Sequence, residues 1–246
     1  MPKNKTKSGF NPQAAFACID TWVFDLDNTL YPVECRLFEQ VDRRMEAFIA
    51  ERLSLAPEAA RRLQKDYWKR YGTTLRGLML HHDIAPAVYL EFVHQIDLSI
   101  LPDDPALKAA IASLPGRKVI FTNGPAHHAA AVLDRLGIAG HFETIFDIAS
   151  FDYIPKPEQA AYRHMLAALG ADPARCVLFE DTVENLVPAA ALGMTTVLVA
   201  PKGCVVKVRT QSGDHVHHVI DDLAGFLNRI VSNGEKAPET PTGGRG

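Results

Sequence analysis

The chain has 246 residues, of which 47% are hydrophobic and 22% are charged, and its 26 basic and 29 acidic residues give a formal net charge of −3. This composition is typical of a folded globular protein, and it excludes a wholly disordered chain, a collagen-like repeat and a small disulfide scaffold. The slightly acidic balance provides no basic footprint for a nucleic-acid polymer.

The cysteines and the apolar stretches bear on the cellular compartment. Cys18, Cys35, Cys176 and Cys204 show no C-x-x-C spacing, which favours reduced, mostly buried thiols. No apolar segment of signal-peptide length follows the basic first residues, and the longest apolar stretch, 186–200, is interrupted by proline, glycine and threonine. We therefore predict a cytoplasmic protein with no membrane partner.

In chain order, residues 1–18 are predicted to form a loose N-terminal tail, and strands and helices alternate after it. The apolar runs are continuous, which suits strands of a parallel sheet that are buried on both faces. Alternation of this kind predicts an α/β fold, a Rossmann-like open parallel sheet flanked by helices. The predicted strands are 21–25, 118–123, 144–149, 176–181, 195–200 and 217–221, and the predicted core helices are 126–136, 157–169 and 185–192.

About 90 residues separate the first two predicted strands, and apolar residues recur there at helical spacing. We interpret residues 32–105 as a helical cap inserted after the first strand, within a catalytic core formed by 19–31 and 106–232. Residues 233–246, rich in glycine, proline and charge, are predicted to be a disordered C-terminal tail. The predicted cap helices are 36–53, 57–71, 74–82 and 86–95.

One proline conflicts with the helical pattern of the core. Pro188 lies within the predicted helix 185–192, and a proline inside a helix removes one backbone hydrogen bond. We therefore expect it within the first turn of that helix.

Polar residues follow the predicted strands at the edge of the sheet where ligands of α/β proteins bind. Carboxylates that converge there repel one another unless a cation holds them, and oxygen ligands suit Mg²⁺ with a phosphate. A threonine, neighbouring backbone amides and a lysine are suited to hold phosphate oxygens. The residues of this predicted site are Asp25, Asp27, Thr122, Asn123, Gly124, Lys156, Glu180 and Asp181.

Each of these patterns has a simpler interpretation when it is taken alone. Asp25, Asp27 and Thr29 could stabilise a turn at a strand end, and Lys156 could be an ordinary solvated lysine. An EF-hand loop is excluded, because Leu30 stands where that loop needs glycine. Four matching strand ends together favour the functional interpretation.

Four segments also resemble the motifs of the haloacid dehalogenase-like superfamily of phosphohydrolases, in the right order and at the right strand ends. The resemblance covers nearly all of the chain from Trp22 to about Asn228. The segment YGTTLRGLM is similar to the pyrimidine 5′-nucleotidase branch, as are DNTLY and FTNGPAHHA. The four segments are FDLDNTLY (24–31), FTNG (121–124), Lys156 with Pro157, and FEDTVENL (179–186).

The resemblance implies a role for each site residue. Asp25 is expected to be the nucleophile that forms an aspartyl-phosphate, and Asp27 to protonate the leaving group and then activate water. That acid role requires a neutral Asp27 carboxyl when substrate binds. Thr122 and Lys156 are expected to hold the phosphoryl oxygens. Asp25, the Asp27 carbonyl and Asp181 are expected to hold Mg²⁺.

The sequence allows more than one substrate class and more than one set of metal ligands. Glu180 stands where many relatives carry aspartate, so Glu180 could also contact the metal. The resemblance implies hydrolysis of a small phosphorylated metabolite, a UMP- or CMP-like nucleoside monophosphate. The alternatives are another small phosphate such as a sugar phosphate or phosphoglycolate, a phosphomutase, or a silent protein that binds a phosphoryl ligand. Both a monomer and a homodimer fit the composition.

Two histidine groups have competing interpretations. His127 and His128 begin a helix, where they could contact the substrate or form a solvated first turn. His215, His217 and His218 invite a zinc interpretation, but no cysteine or acidic partner with suitable spacing accompanies them. A polar loop that leads into a strand is the interpretation we adopt for the second group.

Aromatic residues in the cap are the remaining candidates. Tyr67, Trp68 and Tyr71, with Arg76 nearby, could stack on a pyrimidine ring or bind a sugar. At helical spacing, the same residues could instead form the apolar core of the cap.

Overall fold

The structure is a computed structural model, and it describes residues 12–205 and 213–231. Its six strands form one parallel sheet, so the predicted Rossmann-like α/β architecture is confirmed. The strands are β1 (Thr21–Phe24), β2 (Arg117–Phe121), β3 (Thr144–Phe146), β4 (Cys176–Glu180), β5 (Thr195–Val199) and β6 (His218–Ile220). Their spatial order is β3-β2-β1-β4-β5-β6, which places β1 between β2 and β4.

The helices flank this sheet and fill the long connection after β1. They are α1 (Pro12–Phe16), α2 (Leu37–Leu53), α3 (Pro57–Tyr71), α4 (Thr74–His82), α5 (Pro86–Val93), α6 (Pro105–Ser113), α7 (Ala126–Arg135), α8 (Gln159–Leu169), α9 (Val183–Ala191) and α10 (Leu223–Val231). Helices α2–α5, called the cap helices below, lie within two residues of the predicted bounds. Helix α6 has no counterpart among the predicted helices.

Residues from the central strands are buried on both faces of the sheet. Trp22 and Phe24 enter an apolar cluster on one face, and Val23 enters a second cluster on the other. The rings of Phe24 and Phe179 stack with their centroids 4.8 Å apart, which joins β1 to β4. This burial explains why the strands appear as unbroken apolar runs in the sequence. The cap helices pack around a third apolar cluster, which includes Phe48 and Tyr89 and also Ile148 from the segment after β3.

Two local predictions were wrong. The predicted N-terminal tail includes α1, whose Phe16 is buried against Trp22, because this aromatic side chain extends the core. Pro188 lies in the interior of α9 rather than in its first turn, because the helix begins at Val183. The Pro188 side chain is buried there. Residues 1–11 and the predicted tail 233–246 lie outside the described residues.

The structure also bears on the burial of the cysteines and on membrane-spanning helices. All four cysteines are unpaired, but only Cys176 is buried, so the expectation of mostly buried thiols was wrong. In the part of the chain that the structure describes, no helix is both long enough and apolar enough to cross a bilayer.

Candidate active site

The carboxyl end of β1 leads directly into the candidate site. The Asp25 N–H donates to the Phe179 carbonyl at 2.9 Å, so the hydrogen bonds between β1 and β4 continue one residue beyond the strand. The chain then turns through Asn28, whose φ of 62° is left-handed, and Leu30 N–H donates back to Leu26 at 3.0 Å. Thr29 Oγ1 donates to Asp25 Oδ2 at 3.0 Å. This turn holds the Asp25 carboxylate in place at the edge of the sheet.

Lys156 reaches this carboxylate from the segment before α8. Its Nζ lies 2.7 Å from Asp25 Oδ1, 2.9 Å from Glu180 Oε1 and 2.7 Å from the Phe121 carbonyl, and its side chain is only 1% exposed. Burial opposes the charge, but the two carboxylates raise the pKa of Lys156 above its usual value. The interpretation of Lys156 as a solvated surface lysine is therefore excluded.

The segment after β2 fixes the Lys156 backbone. Asn123 Oδ1 accepts from the Lys156 N–H at 2.8 Å, and Asn123 Nδ2 donates to the Lys156 carbonyl at 3.1 Å. Thr122 Oγ1 accepts from the Gly124 N–H at 2.9 Å. Thr122, Gly124 and Lys156 thus lie at one edge with Asp25. The Asn123 side chain is committed to the lysine backbone, which sequence reasoning did not foresee.

Three carboxylates meet beneath the lysine. Asp25, Glu180 and Asp181 each offer an oxygen, and these oxygens lie within 4.8 Å of one another. Burial raises the pKa of Asp25, and the charge of Lys156 offsets only part of that effect. Burial together with the charges of Glu180 and Asp25 raises the pKa of Asp181. Three carboxylates thus share one lysine, so acidic side chains outnumber basic ones in this group.

Glu180 and Asp181 differ in how many protein donors they receive. Glu180 Oε1 accepts from Lys156 and from Asn185 Nδ2 at 2.5 Å, and Glu180 Oε2 accepts from the Thr182 N–H at 2.7 Å. Although burial opposes it, the charge of Lys156 and the hydrogen bonds with Asp181, Thr182 and Lys156 lower the pKa of Glu180. Asp181 receives only longer bonds, from Asn28 at 3.4 Å and Thr182 at 3.2 Å. Asp181 therefore has more acceptor capacity left for a ligand than Glu180 has.

Asp27 is surrounded by a different group of side chains. Its Oδ1 accepts from the Tyr31 hydroxyl at 2.6 Å and lies 2.9 Å from His128 Nε2. Burial would raise the pKa of Asp27, but the charge and hydrogen bond of His128, with the bond from Tyr31, lower it to about 2. This lowered pKa favours the ionised form of the Asp27 carboxyl. Its other oxygen faces Gly124, where an added Cβ would lie 3.8 Å from Oδ2.

The burial of His128 excludes the interpretation that both histidines belong to a solvated first turn. His127 is exposed, but His128 is buried against Asp27 and against the His94 ring, whose centroid is 4.7 Å away. Burial and the neighbouring His128 lower the pKa of His94 to about 4. Sequence reasoning missed Tyr31 and His94. The spacing of Tyr31, four residues after Asp27 in a tight turn, was the available signal.

A cavity of about 780 Å³ lies between these strand ends and the cap helices. Of the four cap candidates, Trp68 and Tyr71 line it. Tyr67 does not, because its hydroxyl is bonded to His82 Nε2 at 2.8 Å on another side of α3, and Arg76 is not part of the lining either. The lining also includes Gln64 and Tyr89, which sequence reasoning did not single out.

The zinc interpretation of the histidines near β6 finds no support. His217 Nδ1 accepts from the Thr196 N–H at 3.0 Å, which ties this loop to β5. Within residues 12–205 and 213–231, the carboxylates of Asp25, Glu180 and Asp181 are the one group arranged to hold a metal ion.

Comparison with known proteins adds one family and one relative. The family model of the haloacid dehalogenase-like hydrolases matches residues 19–193. Phosphate metabolism protein 8 of Saccharomyces cerevisiae is 26% identical over 232 residues, a match that covers 87% of this chain. The chain spans 65% of the length of that yeast protein.

Several solved structures share the fold. A HAD phosphatase from Thermococcus onnurineus matches with a TM-score of 0.60 and 19% identity, covering 89% of this chain and 100% of that chain. The L-2-haloacid dehalogenase of Xanthobacter autotrophicus matches with a TM-score of 0.54 and 16% identity, covering 88% and 100%. The HAD-hydrolase YfnB of Bacillus subtilis, bound to magnesium, matches with a TM-score of 0.56 and 14% identity, covering 87% and 98%. At these identities the likeness concerns the fold.

Proposed function

Because the chain belongs to the haloacid dehalogenase-like hydrolases, we propose that it is a Mg²⁺-dependent phosphomonoesterase that hydrolyses pyrimidine nucleoside 5′-monophosphates such as UMP and CMP. One observation carries the proposal: the buried Lys156 bridges Asp25 and Glu180 at the floor of a cavity that also contains Asp27 and Asp181. This arrangement offers a fixed nucleophile, positive charge for a phosphate and oxygen ligands for a cation.

Asp25 is the proposed nucleophile. Thr29 and Lys156 each hold one of its oxygens, so the carboxylate is oriented before substrate arrives. An Asp25 oxygen attacks phosphorus, the bond from phosphorus to the ester oxygen breaks, and an aspartyl-phosphate forms. Water then attacks this phosphorus, which frees inorganic phosphate and restores Asp25. Thr122 and Lys156 hold the phosphoryl oxygens during both steps.

Asp27 is the proposed acid and base. It gives a proton to the leaving alkoxide and takes one from the attacking water. Although burial opposes it, His128 and Tyr31 lower the pKa of Asp27 to about 2, so the acid role requires that Asp27 gain a proton as the negatively charged phosphate enters. Since Tyr31 and His128 occupy Oδ1, Oδ2 is the oxygen left to exchange the proton.

A cation fits the carboxylate group on the floor of the cavity. Asp25, Glu180 and Asp181 offer oxygens within 4.8 Å of one another beside a single lysine, and hard oxygen donors suit Mg²⁺. We propose that Asp25, Asp181 and the Asp27 backbone carbonyl hold the ion. Glu180 would support them from behind, because its oxygens already accept from protein donors. Bound Mg²⁺ would supply positive charge beside the phosphoryl group.

The nucleotide specificity rests on the resemblance of the cap segment YGTTLRGLM to the pyrimidine nucleotidase branch. Trp68 and Tyr71 line the cavity and offer aromatic faces to a base. The unpaired cysteines support a cytoplasmic location as part of the same proposal.

Phosphate release from a panel of esters tests the proposal. The panel contains UMP, CMP, AMP, ribose 5-phosphate, glucose 6-phosphate and phosphoglycolate, each with Mg²⁺ and with EDTA. We expect metal-dependent release that is fastest from UMP and CMP. Faster release from a sugar phosphate would reject the nucleotide specificity but would be consistent with a phosphomonoesterase. No release from any ester would reject the proposal that the protein is a phosphomonoesterase.

A further inference from the structure

We propose that Gln64 and Tyr89 form a recognition subsite in the cap for an uncharged leaving group that carries an N–H or O–H donor beside a hydrogen-bond acceptor. The inference rests on the proposed function, because the leaving group is the part of a phosphate ester that the strand ends do not hold. It names the chemistry that the cap selects.

Both residues line the cavity, and each carries one buried polar atom that has no partner. Gln64 is 2% exposed and Tyr89 is 1% exposed, yet Gln64 Oε1 and the Tyr89 hydroxyl have no hydrogen-bond partner. Buried polar side-chain atoms are nearly always paired, because an unpaired one loses its bond to water. Among the described residues one further side-chain atom of this kind exists, His215 Nε2, and it does not line this cavity. Two cavity-lining residues with such atoms point to a ligand that pairs with them.

The orientation of the Gln64 amide follows from its neighbours. Its Nε2 donates to Asp42 Oδ1 at 2.7 Å, and that carboxylate also pairs with Lys65 Nζ at 2.7 Å. A carboxylate that receives these two donors cannot donate in return, so the amide nitrogen must face Asp42. The atom left without a partner is therefore the carbonyl oxygen Oε1. A ligand that satisfies it must bring a donor.

Tyr89 supplies the complementary group. Its ring packs edge-on against Phe48 with centroids 5.1 Å apart, so its position is fixed. Burial, together with the charge of Asp42, raises the pKa of Tyr89, and its hydroxyl keeps a proton to donate. A hydrogen bond from Thr74 to the Tyr89 oxygen would lower this pKa, but the Thr74 hydroxyl donates to the backbone carbonyl of Gln64 at 3.2 Å. Thr74 thus joins both residues in one corner of the cavity.

An acceptor and a donor in one corner match a group that carries both. The N–H and C=O edge of a pyrimidine base has this character, and so do the hydroxyls of a sugar. A phenyl ring has neither. Because an unmet polar group in a site discriminates against ligands that lack its partner, the subsite should favour the first two over the third.

Two substitutions test the subsite, each with a matched control. Gln64→Met and Tyr89→Phe remove the unpartnered atoms and keep the side-chain volume. Gln40→Met and Tyr67→Phe remove polar atoms that have protein partners outside the cavity. We measure kcat/KM with Mg²⁺ for UMP, ribose 5-phosphate and phenyl phosphate, and verify folding by circular dichroism.

We expect Gln64→Met and Tyr89→Phe each to lower the preference for a donor-bearing ester over phenyl phosphate by roughly tenfold, as the loss of one buried hydrogen bond does. The control variants should leave the preference unchanged. A loss confined to UMP identifies a base edge as the ligand, and a loss for both UMP and ribose 5-phosphate identifies sugar hydroxyls. Preferences that stay within twofold of wild type in both variants overturn the subsite.

Binding separates failure of the subsite from failure of the proposed function. The affinity for UMP and ribose 5-phosphate is measured by calorimetry on an Asp25→Asn background, which needs no turnover. If no ester is hydrolysed by the wild type but Gln64→Met weakens binding about tenfold, the hydrolase proposal fails and the subsite stands. Hydrolysis with unaltered affinity and unaltered preference rejects the subsite alone. Tyr89→Phe, which keeps the packed ring, decides the question if Gln64→Met does not fold.

Discussion

The Nζ of Lys156 lies 2.7 Å from Oδ1 of Asp25, in a setting where the lysine side chain is only 1% exposed. The same nitrogen lies 2.9 Å from Glu180. The buried ammonium group of Lys156 thus pairs with two carboxylates. The same lysine should therefore stabilise the fold and position the residues of the candidate site.

We expect Lys156→Met to lower the free energy of unfolding by about 3–5 kcal/mol, because removal of one member of a buried ion pair leaves the other uncompensated. Urea denaturation at pH 7 in EDTA measures the change. Addition of Glu180→Gln to this variant should restore part of the stability, since one of the stranded charges is then gone. An equal stability of Lys156→Met and wild type would contradict the ion-pair argument.

Asp25→Asn should reduce phosphate release by about 10³-fold or more, because an amide oxygen cannot form the aspartyl-phosphate. The melting temperature should hold or rise. Burial raises the pKa of Asp25, so the folded protein loses an unfavourable buried charge in this variant. Turnover close to that of wild type would exclude Asp25 as the nucleophile.

Asp27→Ala should slow both formation and hydrolysis of the aspartyl-phosphate, by about 10²-fold or more, as loss of an acid–base group does. Rapid-quench kinetics separate the two steps. Unchanged rates in both steps would remove Asp27 from the proton transfers.

Tyr31→Phe and His128→Gln probe the donors on Asp27 Oδ1. Both donors stabilise the ionised carboxylate, so removing either should raise the pKa of Asp27 from about 2. Carbon-13 NMR titration of the carboxyl reports this shift. We expect kcat to fall about tenfold with a smaller change in KM, because the orientation of Asp27 matters after binding. His127→Gln, at an exposed neighbouring position, is the matched control.

Mg²⁺ should bind more tightly at pH 8 than at pH 6. Burial and like charge raise the pKa of Asp25 and of Asp181, so at low pH these carboxyls hold protons that the ion must displace. Calorimetry in two buffers of different ionisation enthalpy should therefore show proton release, and Asp181→Asn should reduce it.

Activity should vanish in EDTA and return with Mg²⁺. Full activity in the chelator would contradict the carboxylate argument.

The strand ends were predictable because parallel strands buried on both faces leave a plain apolar signature, and their polar ends must share one edge. Asp25 follows directly from this rule, whereas Lys156, which lies beyond its strand, could be chosen only together with the other segments. The cap helices were equally visible, since their apolar spacing is periodic and two of them, α3 and α5, begin with a proline.

Side chains whose role depends on helix rotation were not predictable. His127 and His128 are adjacent in sequence, and only the packing of α7 decides that the second faces Asp27. The same applies to the cap, where Gln64 and Tyr89 line the cavity and Tyr67 does not. The early start of α9, which places Pro188 in its interior, likewise depends on tertiary packing rather than on local propensity.

The central position of β1 has a consequence for how the molecule is made. Thr21 lies beside Arg117 on one side and Cys176 on the other, so β1 has no neighbour in the sheet until much later segments have been synthesised. Pairings over such separations close slowly and leave apolar segments exposed meanwhile. During synthesis, Trp22 and Phe24 must therefore wait for β4, and a chaperone that shields this early segment would raise the yield of folded protein.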